Sequence, residues 1–134
     1  MASKPFAIIA GVGPGTVYLS SPTSASLTDY WHKNQGASLA RRFAKAYPVV
    51  LLARNPANYE SVVNEINTSG GQALGISTDL SDATSVRSAF DKISKQYAGS
   101  ALAAAIFNSG GGFVHKPFLE LTDEEFTHGY ESQG

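Results

Sequence analysis

Short unbroken apolar runs alternate along this chain with stretches whose apolar residues recur every three or four positions. The first run, Phe6-Ala7-Ile8-Ile9-Ala10, halts at a glycine cluster and predicts a buried strand entering a tight turn. Over residues 36–47, Leu39, Ala40, Phe43, Ala44 and Tyr47 share a helical face, and Pro48 closes that helix ahead of a second run, Val49-Val50-Leu51-Leu52-Ala53. Asn55-Pro56 then supplies a helix cap and a proline at the first helical position. Tyr59, Val62, Val63 and Ile66 line one face of this helix, and Gly70-Gly71 ends it. Residues 72–77 read as a third strand, and Ser81 is the expected cap of a helix that gathers Val86, Phe90, Ile93 and Tyr97 on one side. The alanine-rich residues 101–107 carry helical propensity, but their place in the alternation and the following Asn108-Ser109-Gly110-Gly111-Gly112 predict a buried fourth strand. Thr122 and Glu125 frame a capping box, so a further helix is expected there.

Strands separated by helices of this length imply parallel βαβ units with crossovers of one hand. The expected class is therefore α/β: a doubly wound parallel sheet of about four strands with helices on both faces, in a single domain over residues 1–134. A hydrophobic content of 43% is enough to fill such a core. The formal net charge of -1 provides no global attraction for nucleic acid or an anionic membrane, so partners must be recognised by local sites. Absence of cysteine removes disulfides and thiolate metal sites and fits a reducing compartment. No apolar run near the N-terminus reaches the length of a signal h-region or a membrane span, and the expected location is the cytoplasm. His32, His115 and His128 share no ligand spacing, so no metal site is expected. Ser109 has no evident general-base partner, which leaves a hydrolase without support.

The chemistry sits in Ala10-Gly11-Val12-Gly13-Pro14-Gly15-Thr16, directly after the first strand. Glycines at that place let the backbone turn sharply and approach a pyrophosphate, whose charge then rests on a helix N-terminus. With residues 17–35 skipped, the text continues Gly36-Ala37-Ser38-Leu39-Ala40, and the joined string resembles the TGxxxGxG motif of the short-chain dehydrogenase/reductase family. Ala10 stands in place of the threonine, and Gly11, Gly15 and Gly36 are the three glycines. The resemblance implies a partial Rossmann domain that binds a dinucleotide through Gly11, Gly13, Gly15, Thr16 and Gly36. It extends to Ala53-Arg54 at the end of the second strand, where the family's NADP-preferring members place an arginine for the 2′-phosphate, so NADP is expected rather than NAD. Asp79-Leu80 matches the acidic position that contacts adenine, and Asp79 could equally support the next helix N-terminus. Asn108-Ser109-Gly110 resembles the Asn-Ala-Gly segment that passes close to the cofactor after the fourth strand.

Residues 17–35 interrupt this loop, whereas strand-to-helix connections in such units run about 2 to 6 residues. Every valine codon begins GT, Gln35 can be CAG, and Leu27-Thr28 can carry a branch-site-like CTAAC, so a short intron read through in frame would produce this segment. A genuine inserted loop, with Tyr18, Tyr30 and Trp31 as apolar anchors for a partner, is the alternative. Thr28-Asp29 could also cap a longer helix through Tyr30 and Trp31 into Leu39, which would bind up the amides meant for phosphate and weaken the cofactor site.

The family's hydride-transfer machinery is a serine with a Tyr-x-x-x-Lys pair, the tyrosine serving as acid/base. None of the six tyrosines here is followed by lysine four positions later. No residue is assigned a catalytic role, and the chain is expected to be an N-terminal portion that stops before the pair, leaving the fourth strand as an apolar edge open to self-association. Three readings stay open. The first is a portion of an NADP-dependent carbonyl/alcohol oxidoreductase of unknown substrate; the second a non-catalytic nucleotide-binding or interaction module; the third an unspliced gene product without stable function.

Overall fold

The computed structural model describes residues 3–13, 35–108, 117–125 and 127. Four strands, β1 (Phe6–Ala10), β2 (Val49–Ala53), β3 (Ala73–Ser77) and β4 (Leu102–Phe107), form one parallel sheet in the order β3-β2-β1-β4. Every residue of β1 and β2 is buried, which is why both read as unbroken apolar runs: the central strands of a doubly covered sheet have no solvent face on which to place polar residues. Helices α1 (Gln35–Ala44) and α2 (Glu60–Thr68) cover one face, where Ala37, Ala40, Val62 and Ile66 pack on Ala7, Ile9, Val49 and Leu51. Helix α3 (Ala83–Gln96) covers the other face, placing Ala89 and Ile93 over Phe6, Ile8, Val50, Leu52 and Ile76. The chain steps outward from β1 to β3 and then returns past β1 to β4. With crossovers of one hand, that reversal carries α3 to the opposite side from α1 and α2. The expected α/β class and doubly wound order are what the structure has.

Several local expectations are corrected. Helix α1 ends at Ala44 instead of running to Tyr47: the amides of Ala46 and Tyr47 both donate to the Phe43 carbonyl, at 3.0 and 2.9 Å, which tightens the last turn while Tyr47 still packs beside the Phe43 ring. Asn55 caps a 3-10 turn, Pro56–Asn58, and not the α-helix itself, its Oδ1 accepting from the Ala57 amide at 3.0 Å; α2 begins only at Glu60. The cap of α3 is Asp82, not Ser81. Its two carboxylate oxygens accept from the Thr84 and Ser85 amides at 3.0 and 3.2 Å, and a carboxylate offers two acceptors plus a charge suited to the positive helix end. On α3 the buried contacts come from Ala89 and Ile93, whereas Phe90, expected to be buried, is 45% exposed.

Strand β4 forms where expected but is not buried. Among the described residues it pairs with β1 alone, and Leu102 and Phe107 remain 49% and 64% exposed. An open groove lined by Phe6, Ile8, Phe90, Ile93, Tyr97 and Leu102 runs along this side, with Phe6 stacked on Tyr97 at 4.4 Å between ring centroids. The capping box is present: the Thr122 amide donates to Glu125 at 3.0 Å and the Glu125 amide to the Thr122 hydroxyl at 3.2 Å. Gly15, Thr16, Ser109, Gly110, the three histidines and the proposed helix through Tyr30 and Trp31 lie outside the described residues. Among the described residues no helix is long and apolar enough to cross a membrane, and no cluster of residues could hold a metal ion.

Candidate dinucleotide-binding site

At the end of β1 the chain must change direction without colliding with β2. Gly11 does this with φ at +93°, a conformation that side-chain-bearing residues rarely adopt. The amides of Gly11 and Val12 both donate to the Leu52 carbonyl, at 2.9 and 3.3 Å, folding the loop over the end of β2. Gly36, the second residue of α1, closes the arrangement from the other side. A Cβ there would stand 2.5 Å from the Gly11 oxygen and 3.0 Å from the Val12 Cα, so only glycine permits this approach of helix to loop. The first and third glycines of the motif, far apart in the sequence, are thus in van der Waals contact in space.

Asn108 laces the far side. Its backbone amide donates to the Ala10 carbonyl at 2.7 Å and its Nδ2 to the Gly11 carbonyl at 3.2 Å, fastening the end of β4 to the glycine loop. This lies between β1 and β4, where the strand order reverses, and in open parallel sheets that crevice at the carboxyl ends of the strands is where ligands bind.

Arg54 is the first residue past β2 and is exposed. Its carbonyl accepts from the Ser77 hydroxyl at 2.8 Å, which ties the ends of β2 and β3 together and fixes where its side chain departs. Among the described residues the Arg54 guanidinium is in no ion pair. Asp79 is committed to local structure: its Oδ1 accepts from the Ser81 hydroxyl at 2.6 Å and the Ser81 amide at 3.0 Å, while its own amide donates to the Ser85 hydroxyl at 2.9 Å. The Ser81 hydroxyl and amide hold the Asp79 carboxyl below its ordinary value; burial opposes them, and the positive charge of Arg54 adds to the lowering. Leu80 is half-buried and packs against the core on the α3 side. Candidate residues from the ends of all four strands therefore come to one edge of the sheet: Gly11 and Gly13 after β1, Arg54 after β2, Asp79 and Leu80 after β3, Asn108 after β4.

Two residues here carried no sequence signal. Thr78 is 1% exposed, its amide donating to the Ala53 carbonyl at 2.9 Å and its hydroxyl to the Ile76 carbonyl at 3.1 Å, so it staples β3 to β2 immediately before Asp79. Asn58 places its carboxamide beside Gly13. Neither residue type at its position marks a motif, because the partner in each case comes from another strand's end.

A dinucleotide fits what is present. The loop approaches bare of side chains at Gly11 and Gly13, and the Gly36 contact keeps the described start of α1 against that loop. Directly past β2, Arg54 is exposed at the same edge.

The fold and the family are reflected in similarity to known proteins. Solved structures that the chain resembles include a short-chain type dehydrogenase/reductase from Mycobacterium marinum (TM-score 0.73, 23% identity, 98% of this chain and 44% of that one). A short-chain dehydrogenase from Rhodopseudomonas palustris matches with TM-score 0.64 and 28% identity, over 94% of this chain and 50% of that one. A metagenomic short-chain oxidoreductase in complex with NADP matches with TM-score 0.67 and 20% identity, over 96% of this chain and 49% of that one. The chain spans half or less of the length of each of these proteins. Comparison with curated protein sequences gave no match. A sequence model of the short chain dehydrogenase family matches residues 34–131, from the start of α1 past the capping box, and the chain therefore belongs to that family.

Proposed function

We propose that this chain binds NADP in the crevice between β1 and β4, and that it represents the cofactor-binding part of a carbonyl/alcohol oxidoreductase. Gly11, Gly13, Gly15, Thr16 and Gly36 would hold the pyrophosphate, Arg54 the 2′-phosphate, Asp79 and Leu80 the adenine, and Asn108, Ser109 and Gly110 the cofactor's inner edge. The observation that supports the reading is the close approach of Gly36 to Gly11, two glycines of the motif that lie far apart in the sequence. Preference for NADP rests on Arg54 at the end of β2, where a carboxylate would instead repel the extra phosphate. When bound, the nicotinamide would supply hydride chemistry; the residues of this chain bind and orient the cofactor. With no Tyr-x-x-x-Lys among the 134 residues, this chain by itself is expected to bind NADPH without turning over a carbonyl.

The test is fluorescence titration of NADPH and NADH against the chain and against Arg54→Asp. Tighter binding of NADPH by the unaltered chain, lost by about tenfold or more in the variant, is expected from one charge-assisted contact. Equal affinities for the two cofactors, or no effect of the variant, would reject the NADP reading.

Residues 17–35 form an inserted segment in this proposal. Deleting them should tighten NADPH binding, since the connection between the loop and α1 would return to the usual length for such units; equal affinity with and without the segment would count against the insertion. Coding DNA with CAA at codon 35 would exclude an intron origin. The reading also includes a cytoplasmic setting, supported by the lack of cysteine, and self-association through the apolar β4 edge. Sedimentation velocity across a concentration series would reveal that association, and Phe107→Lys should abolish it.

A further inference from the structure

We infer that Asn58 is a specificity residue of this site, its carboxamide donating a hydrogen bond to the 2′-phosphate of the cofactor's adenosine ribose alongside Arg54. This rests on the NADP reading above and extends it to a residue outside the family's glycine pattern. A Cβ built on Gly13 would find the Asn58 Nδ2 at 3.4 Å and its Cγ at 3.9 Å, so the amide nitrogen is the atom nearest the glycine loop. Asn58 is half-buried, and among the described residues its carboxamide makes no hydrogen bond. The two N–H donors of an amide suit the several oxygens of a phosphate, and asparagine contributes them without a charge that would demand a counter-ion.

The backbone holds Asn58 in place from both sides. Asn55 caps the turn through the Ala57 amide, Pro56 fixes its φ, and the Asn58 amide donates to the Asn55 carbonyl at 3.0 Å. The next residue, Tyr59, is 8% exposed, its amide donating to the Pro56 carbonyl at 3.0 Å and its ring lying on Gly75 of β3 so closely that a Cβ there would stand 2.2 Å from it. A residue whose backbone is held on both sides, with its carboxamide facing the loop and unpartnered among the described residues, has its side chain already placed for binding. Arg54 and Asn58 both lie in the short stretch that follows the end of β2, the part of such folds where the adenosine ribose of a dinucleotide is recognised.

The test compares binding of adenosine 2′,5′-bisphosphate and adenosine 5′-monophosphate by calorimetry to the full chain and to Asn58→Asp, Asn58→Ala and Arg54→Ala. Asp keeps the size of Asn58 but offers only acceptors and a negative charge. It should weaken the bisphosphate by about tenfold or more and leave the monophosphate unchanged or tighter, while Ala weakens the bisphosphate by about three- to tenfold. An unaltered ratio of the two affinities in both Asn58 variants, with the ratio lost in Arg54→Ala, would overturn the assignment of Asn58 and leave the NADP reading standing. No preference for the bisphosphate in the unaltered chain would overturn both. Far-ultraviolet melts of each variant at wild-type midpoint exclude misfolding as the cause of a loss.

Discussion

Replacing Gly36 by alanine tests the closure of the glycine loop directly. The new Cβ would meet the Gly11 oxygen at 2.5 Å, the Val12 Cα at 3.0 Å and the Gly11 carbonyl carbon at 3.2 Å, all of them backbone atoms. Reaching the 3.4 Å where ordinary contact begins requires a separation of about 0.9 Å between α1 and the loop, and no flexible side chain is there to yield. Forced overpacking of this kind costs about 1–3 kcal/mol, against which alanine's better helix propensity returns at most about 1 kcal/mol. A net loss of about 1–2 kcal/mol should lower the urea midpoint by about 0.5–1 M at an m-value near 2 kcal/mol/M. The displaced atoms also accept from Asn108 and carry the amides that turn over β2, so NADPH affinity should fall more than stability does. Urea unfolding followed by circular dichroism and NADPH titration of the same variant provide both numbers. A variant as stable as the parent, or stabilised as a simple helical Gly→Ala change would be, with unchanged affinity, would refute the contact between helix and loop as the organiser of this site.

Asn108→Ala removes the donor to the Gly11 carbonyl and should cost about 0.5–1.5 kcal/mol, a drop of several degrees in melting temperature, with faster hydrogen exchange at the end of β4. An unchanged melt and exchange pattern would mean the lacing contributes nothing. Gly75→Ala drives a Cβ into the Tyr59 ring at 2.2 Å and should destabilise by about 1–3 kcal/mol while releasing the turn that carries Asn58, read by urea unfolding and tyrosine fluorescence. Glu65 accepts from the Arg41 guanidinium at 2.8 to 3.0 Å, and these hydrogen bonds hold its carboxyl below the ordinary 4.5. A lowered folded value means that its contribution is present above the unfolded value and is lost as pH falls through the folded one. Stability measured from neutral pH down through the carboxylate range should therefore decline less steeply in Glu65→Gln. Because both partners are about half exposed, added salt should shrink the difference; a slope identical in parent and variant would remove the pair from the stability balance.

The local patterns in the chain were sufficient for its elements and their class. Phe6–Ala10 and Val49–Ala53 read as buried strands because a strand covered on both faces admits only apolar residues, and Gly70-Gly71 and Pro48 mark helix ends through backbone restrictions that act within a few residues. The glycine loop and Arg54 were legible because their places follow from a strand's end. What the sequence could not decide were the questions whose answers involve a second element. Ser81 reads as the cap of α3, yet its hydroxyl is taken up by Asp79 and the cap is Asp82. Phe90 and Leu102 carry the apolar character of buried residues, yet they are exposed because among the described residues nothing flanks β4 beyond β1. Gly36 meets Gly11, and Asn58 faces Gly13, only once α1 and the turn after β2 have packed on the sheet. Hydrogen-bonding and rotamer preferences are written into each residue and its near neighbours, so sequence conveys them; contact between distant residues is set by how layers stack, and it exists only in the folded chain.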